Sequence, residues 1–116
     1  MRREIEWGED ALAEVEGARA RLETRTVGRG LAFIGELDGL VASLLMFPLQ
    51  GSLMENELPF PTRKSRLRAF GFLLYYTVYP SVDFQTGEVL DVIHVLACRH
   101  ERQGEPNWET RDPFRL

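Results

Sequence analysis

Four charged or titratable side chains follow a largely apolar run in the segment VIHVLACRHER, residues 92–102. They are Arg99, His100, Glu101 and Arg102. An imidazole can give or take a proton near neutral pH, and a guanidinium stabilises negative charge that develops on a phosphate. With Glu55 or Glu57 as a general base, this set would suit a ribonuclease. The same residues equally suit a contact surface for a partner protein, or a strand end that simply meets water, and the sequence leaves these alternatives open.

One dense basic run precedes this segment in the chain. It consists of Arg63, Lys64, Arg66 and Arg68. Such a run can contact DNA, RNA or an acidic protein surface, and it can equally protect an edge strand against unwanted pairing. No aromatic residue interleaves with it, so stacking on single-stranded bases is not indicated. A ribonuclease would use Arg66, Arg68, Arg99 and His100.

Metal binding and nucleophilic catalysis have little support. Simple alternation puts His94, Cys98 and His100 on one face of a strand, but residues 94 and 98 are then about 13 Å apart at roughly 3.3 Å per residue. One metal ion cannot bridge that distance with ligands about 2 Å away. We therefore expect no metal and no cofactor, and we interpret Cys98 as a small buried residue.

The composition restricts the kind of partner. The chain has 116 residues, a net charge of −4 and a pI of about 5.2. Binding to nucleic acid through bulk charge needs a positive field, so direct DNA binding by the chain alone is not expected. The single cysteine favours a reducing, cytoplasmic setting. The apolar stretch 31–49 contains Glu36, Asp38 and Pro48, which indicates a core helix and no membrane partner.

Hydrophobic periodicity predicts the order strand, helix, helix, strand, strand, strand. A helical hairpin must cover one face of a small sheet to bury its apolar stripe, so the predicted fold is α+β with two layers and a mainly antiparallel sheet. The first helix should bury Leu12, Val15, Ala18 and Leu22, and glycines 28, 35 and 39 would let it approach the second helix. The strands are predicted at 3–7, 66–70, 72–79 and 89–98, the second helix at about 27–47, and loops at 50–62 and 80–87. The whole chain, 1–116, forms a single domain, with a polar tail from about residue 103 that is a candidate flexible segment.

Four stretches in this order resemble the RelE/ParE superfamily of bacterial type II toxins, and the ParE branch more closely. They are IEWGEDALAEVE, FIGELDGLVASLLMFPLQG, FGFLLYYTVYP and VLDVIHVLACRHER. Together they span roughly residues 4 to 102. By position, the family's terminal Arg-Arg-Asp falls on Arg99, His100 and Glu101, whereas the arginine of its aromatic strand falls on Leu73 and is missing here.

The resemblance implies a toxin that arrests growth when free and is neutralised by a cognate antitoxin. ParE-like members inhibit DNA gyrase, and RelE-like members are endoribonucleases that cleave mRNA on the ribosome. The missing strand arginine favours the gyrase inhibitor, with the ribonuclease and a degenerate, non-toxic binding relative as alternatives. The expected contacts with the target or the antitoxin are Arg63, Lys64, Arg66, Arg68, Arg99, His100 and Arg102.

Overall fold

The computed structural model describes residues 2–115 and has the predicted α+β fold with two layers. Met1 and Leu116, the two ends of the predicted single domain, lie outside the described residues. The elements in chain order are β1 (Arg3–Trp7), α1 (Glu9–Arg25), α2 (Arg29–Met46), β2 (Ser52–Met54), β3 (Thr62–Leu67), β4 (Phe72–Val82) and β5 (Val89–His100). Two short 3-10 turns follow, at Glu101–Gln103 and Trp108–Arg111.

The five strands form one mixed sheet in the order β1-β5-β4-β3-β2. Only β1 and β5 are parallel, and the other neighbours are antiparallel. The prediction of a helical hairpin on a mainly antiparallel sheet is therefore confirmed. One face of the sheet, the helix-side face, packs against α1 and α2. The opposite face is called the outer face.

The main core lies between the helices and the sheet. Phe33 and Leu44 of α2 are fully buried there, against Leu74 and Tyr76 of β4 and Ile93 of β5. Phe33 packs edge-on against Phe70 and obliquely against Phe72, with ring centroids 5.6 and 5.2 Å apart. Such contacts stabilise the fold through burial of large aromatic surfaces.

The buried face of α1 contains three of the four predicted residues, and only its first member differs. Ala11, Val15 and Ala18 are buried, with Leu22 packed beside them, whereas Leu12 is 54% exposed. The spacing 11, 15, 18, 22 follows the helical repeat of 3.6 residues more closely than a stripe that begins at residue 12. The larger side chain of Leu12 misled the prediction, because the small Ala11 permits close packing.

Close approach of the two helices depends on Gly30, and the prediction for glycines 35 and 39 was wrong. A Cβ at residue 30 would lie 2.7 Å from the carbonyl oxygen of Arg19, whereas Gly35 and Gly39 face open space. Gly28 serves the turn instead, since its φ of 87° lies in the left-handed region that glycine adopts without strain.

Several strand boundaries differ from the prediction. The predicted loop 50–62 contains β2, whose three residues pair with residues 62–64 of β3. The predicted strand 66–70 is displaced to Thr62–Leu67, because residues 68–71 turn the chain into β4. Both β4 and β5 are longer than predicted, and only residues 83–88 connect them. Period-two alternation alone did not reveal these limits, since the hydrogen bonds that define them are long-range.

A β-bulge interrupts the pairing of β4 with β5. Tyr75 pairs with Ala97 and Tyr76 pairs with Val95, so Leu96 has no partner on β4. Leu96 and Ala97 both join the outer-face cluster, and Cys98 returns to the helix-side core. An extra residue of this kind inverts the alternation of all residues that follow it.

The tail beyond β5 lies across the outer face. Trp108 packs edge-on against Tyr75 with centroids 5.2 Å apart, and Phe114 packs against Tyr79 at 4.8 Å. Phe60 adds a third ring beside Phe114. Trp108 and Tyr75 belong to a small apolar core on the outer face, which also includes Leu96 and Ala97. Within residues 2–115, none of the helices has the length and apolar character needed to cross a membrane.

The glycine contact between the helices can be tested with Gly30→Ala. The new methyl group would collide with the backbone at Arg19, so we expect a loss of about 2 kcal/mol in the free energy of unfolding. Gly35→Ala is the matched control, since it adds the same methyl group in open space on the same helix. It should stabilise the protein by about 0.5–1 kcal/mol. Urea denaturation measures both, and shifts of the same sign would contradict this account.

Candidate functional site

Arg99, the first cation after the apolar run of β5, is bound within the fold. Its guanidinium donates to a carboxylate oxygen of Glu14 at 3.1 Å and to the carbonyl oxygen of Gly104 at 3.0 Å. The Arg99 side chain is only 21% exposed. Arg99 therefore links α1 to the start of the tail. Since its guanidinium is already hydrogen-bonded and mostly buried, it is poorly placed to contact a partner.

Glu14 also accepts hydrogen bonds from two further groups, and sequence reasoning missed both. The Cys98 backbone amide donates to it at 3.1 Å, and Arg111 of the tail donates at 2.8 Å. Arg111 donates in addition to the carbonyl oxygen of Leu96 at 2.9 Å. Because β1 pairs with β5 only as far as Val95, these side chains satisfy backbone groups that the sheet leaves unpaired.

His100 points to the helix-side face because of the bulge. Its Nδ1 accepts from the backbone amide of Arg102 at 3.2 Å, so the neutral ring carries its proton on Nε2. Gln103 completes a reciprocal cap, since its side-chain oxygen accepts from the His100 amide at 2.8 Å. The ring stands edge-on against Phe72 with centroids 5.2 Å apart. His100 thus begins the turn that carries Arg102.

The basic run divides into one structural member and three exposed ones. Arg63 donates to the carbonyl oxygens of Leu49 and Gly51, both at 2.9 Å, and thereby fastens the loop after α2. The exposed members are Lys64, Arg66 and Arg68, which we call the basic edge. Arg66 lies 3.5 Å from Glu101, and both side chains are substantially exposed, so this ion pair contributes little to stability.

The residues of the ribonuclease hypothesis do not come together. Glu55 and Glu57 line a cleft on the outer face beside Trp108 and the tail. His100 lines a different cleft, between the helices and the end of the sheet. Arg66 and Arg99 pair with carboxylates instead of facing His100. The residues of this hypothesis therefore do not bring the proposed base, the proposed acid and a free cation to one point.

His94 and Cys98 also lie apart, on opposite faces, because the bulge lies between them. His94 is buried on the outer face, where its Nδ1 lies 2.7 Å from the carboxylate of Glu6. Cys98 is 1% exposed in the helix-side core. The shared face that the sequence suggested was therefore wrong. Across residues 2–115, the structure holds no cluster of three or more His, Cys, Asp or Glu side chains placed to bind a metal.

Cys98 lacks the features of a nucleophile. Burial raises the pKa of its thiol to about 12, and the neighbouring Glu14 carboxylate adds to that rise. A thiol of this kind stays protonated at neutral pH, whereas reactive cysteines have a lowered pKa and partial exposure.

The cleft that contains His100 gathers cations that sequence reasoning did not connect. Its cavity volume is about 480 Å³. The apolar part of its lining includes Phe70 and Phe72, and the polar part is Arg21, Arg25, Arg29, His100, Arg102 and Gln103. We call it the cationic cleft. One feature of the sequence could have indicated this cleft. Arginines 21, 25 and 29 follow one another at intervals of four residues, from the end of α1 to the start of α2.

The chain matches no family model, and no curated protein is significantly similar to it.

The network around Glu14 predicts a specific loss of stability. Glu14→Gln removes the charge that faces Arg99 and Arg111, which are both mostly buried, and should lower the free energy of unfolding by about 2 kcal/mol. Glu16→Gln is the matched control two residues away, since Glu16 is exposed and pairs only with Arg19. It should change stability by less than about 0.5 kcal/mol. Equal losses in chemical denaturation would rule out a special role for Glu14.

The raised pKa of Cys98 predicts a dependence of stability on pH. Between about pH 9 and pH 12 the unfolded thiol loses its proton while the folded thiol keeps it, so the free energy of unfolding falls as pH rises. From pH 8 to pH 10 the loss should reach about 1.4 kcal/mol relative to Cys98→Ala, which has no thiol. Urea denaturation of both proteins at the two pH values measures this difference. If the free energy of unfolding fell equally in both proteins, the raised pKa of the Cys98 thiol would be refuted.

Proposed function

We propose that this chain is the toxin component of a type II toxin–antitoxin system. In this proposal it is a ParE-like, non-enzymatic inhibitor of DNA gyrase, it acts in the bacterial cytoplasm, and a cognate antitoxin neutralises it. The proposal rests on the resemblance of residues 4–102 to the RelE/ParE superfamily. It is supported by a fold in which those same residues form a helical hairpin on a mainly antiparallel sheet.

One observation favours inhibition by binding over catalysis. The candidate base and the candidate acid lie in separate clefts, with Glu55 and Glu57 on the outer face and His100 on the helix-side face. A ribonuclease needs both within hydrogen-bonding reach of one phosphodiester. The ribosome-dependent endoribonuclease therefore stands as the weaker alternative. Mapping of mRNA 5′ ends after induction tests it directly, since it would produce new ribosome-dependent cuts.

The basic edge is an accessible surface for the target or the antitoxin. Lys64, Arg66 and Arg68 are exposed, and β2 pairs with residues 62–64 of β3. Within residues 2–115, no strand lies beside the edge of β3 beyond Lys64. A partner can thus use both charge and backbone hydrogen bonds at this position. The net charge of −4 makes an acidic protein surface a better partner for this local patch than free DNA.

Growth of a culture after controlled induction of this chain alone tests the toxin assignment. We expect arrest, and we expect co-expression of the antitoxin encoded by a neighbouring gene to relieve it. Normal growth with soluble, folded protein would contradict toxicity in that host and favour a degenerate binding relative.

A gyrase supercoiling assay with purified protein tests the target and the basic edge together. The wild type should inhibit supercoiling, and Lys64→Gln/Arg66→Gln should weaken inhibition about tenfold through loss of two exposed cationic contacts. Arg19→Gln/Arg115→Gln is the matched control, since it removes two positive charges elsewhere on the surface. Lack of inhibition by folded wild type would overturn the gyrase proposal. Equal weakening by both double variants would overturn the role of the basic edge.

A further inference from the structure

The cationic cleft concentrates positive charge in an acidic protein. The chain has 18 acidic and 14 basic residues, yet the cleft lining contains four arginines, one histidine and no carboxylate. Like charges placed together repel one another, so this arrangement destabilises the free protein. An anion bound in the cleft would relieve the repulsion.

The four arginines of the cleft are not neutralised by other side chains. Among residues 2–115, none of Arg21, Arg25, Arg29 and Arg102 has a carboxylate within 4.0 Å. The nearby carboxylates have other partners. Glu23 accepts from the backbone amides of Gly28 and Gly30, and Glu101 lies beside Arg66. The guanidinium groups are therefore available to an anion.

The positive field of the cleft comes from side chains and not from the start of α2. Glu23 already occupies the first amides of that helix, at 2.9 Å from Gly28 and 3.1 Å from Gly30. A ligand would thus meet several guanidinium groups, which bind the oxygens of phosphate in paired hydrogen bonds.

Part of the cleft lining is apolar. It includes Phe70 and Phe72, and the guanidinium carbon of Arg29 stands 5.1 Å from the centroid of the Phe70 ring. This contact, a cation–π interaction, places Arg29 against the apolar part of the lining. A volume of about 480 Å³ falls in the range of pockets for small molecules.

The backbone around the cleft leaves little for an extended peptide to pair with. The Gly71 amide donates to the carbonyl oxygen of Leu67, and the Gly71 carbonyl oxygen accepts from the Glu101 amide. The His100 amide is occupied by Gln103. Peptides that bind as an added strand need unpaired backbone groups. The cleft therefore suits a small anion better than an acidic peptide.

We propose that the cationic cleft binds a small ligand with a chain of two or more phosphate groups. The phosphates lie among Arg21, Arg25 and Arg102, and in a nucleotide the organic part contacts the apolar residues of the lining. Several closely spaced negative charges match the four cations, whereas a single carboxylate would leave most of them unpaired. This site is separate from the basic edge, and it does not depend on the gyrase proposal.

Isothermal titration calorimetry at low ionic strength, without divalent cations, tests the proposal with three probes: ATP, inorganic triphosphate and adenosine. Arg25→Gln and Arg102→Gln each remove one exposed cation that has no ion pair, so both variants should fold normally. Each should weaken binding of ATP and of triphosphate about fivefold, through loss of a charge-assisted hydrogen bond partly screened by water. Arg115→Gln, which removes one charge at the outer face, should leave affinity unchanged.

The three probes separate the possible sources of the phosphates. Binding of ATP and triphosphate, weakened by both cleft variants and not by the control, would support the site. If ATP bound more tightly than triphosphate, the ligand would be a nucleotide. If the two bound equally, the site would accept any oligophosphate. Dissociation constants weaker than about 1 mM for both would overturn the proposal. It would also fail if adenosine bound as tightly as ATP, or if the cleft variants bound like the wild type.

Discussion

A single carboxylate, Glu14, holds three parts of the molecule in place. It belongs to α1, it accepts from the backbone of β5, and it pairs with cations at the end of β5 and in the tail. Since β1 ends opposite Val95, the last five residues of β5 would otherwise expose an open strand edge beside the helix. Glu14 and Arg111 form hydrogen bonds with the backbone of that edge, and Arg99 and Arg111 bring their charges to Glu14. The edge is thus protected by side chains, as natural sheets protect theirs against unwanted pairing.

The ion pairs around Glu14 also determine where the free positive charges of the surface lie. With Arg99 and Arg111 committed to Glu14, the exposed cations are concentrated at the basic edge and in the cationic cleft. Carboxylates line the cleft of the outer face, namely Glu55, Glu57, Glu105, Glu109 and Asp112. A chain with a net charge of −4 therefore has local surfaces of both signs. Its overall charge describes its behaviour toward bulk nucleic acid, but not what each surface can bind.

The architecture could be read from the sequence because it rests on local patterns. The alternation in 3–7, the helical repeat in both helices and the aromatic run from Phe72 each depend on neighbours close in the chain. The role of Arg111 could not be read, because its partner Glu14 lies 97 positions away and neither residue has a distinctive setting. The short strand β2 was missed for a similar reason, since three residues carry no period and only pairing with β3 defines them. The cationic cleft required knowledge of how the helical hairpin meets the end of β5.

The bulge at Leu96 shifts the alternation of side chains in β5 by one residue. Before it, even-numbered residues such as His94 face outward, and after it, even-numbered residues such as Cys98 and His100 face the helices. The same strand thus carries two hydrophobic patterns in opposite phase, joined by one unpaired residue. If the same residues alternated regularly, without the bulge, Arg99 would be turned toward the helix-side core and Cys98 toward the outer face. The sequence of the segment would be the same, but His100 would no longer face the cleft between the helices and the sheet.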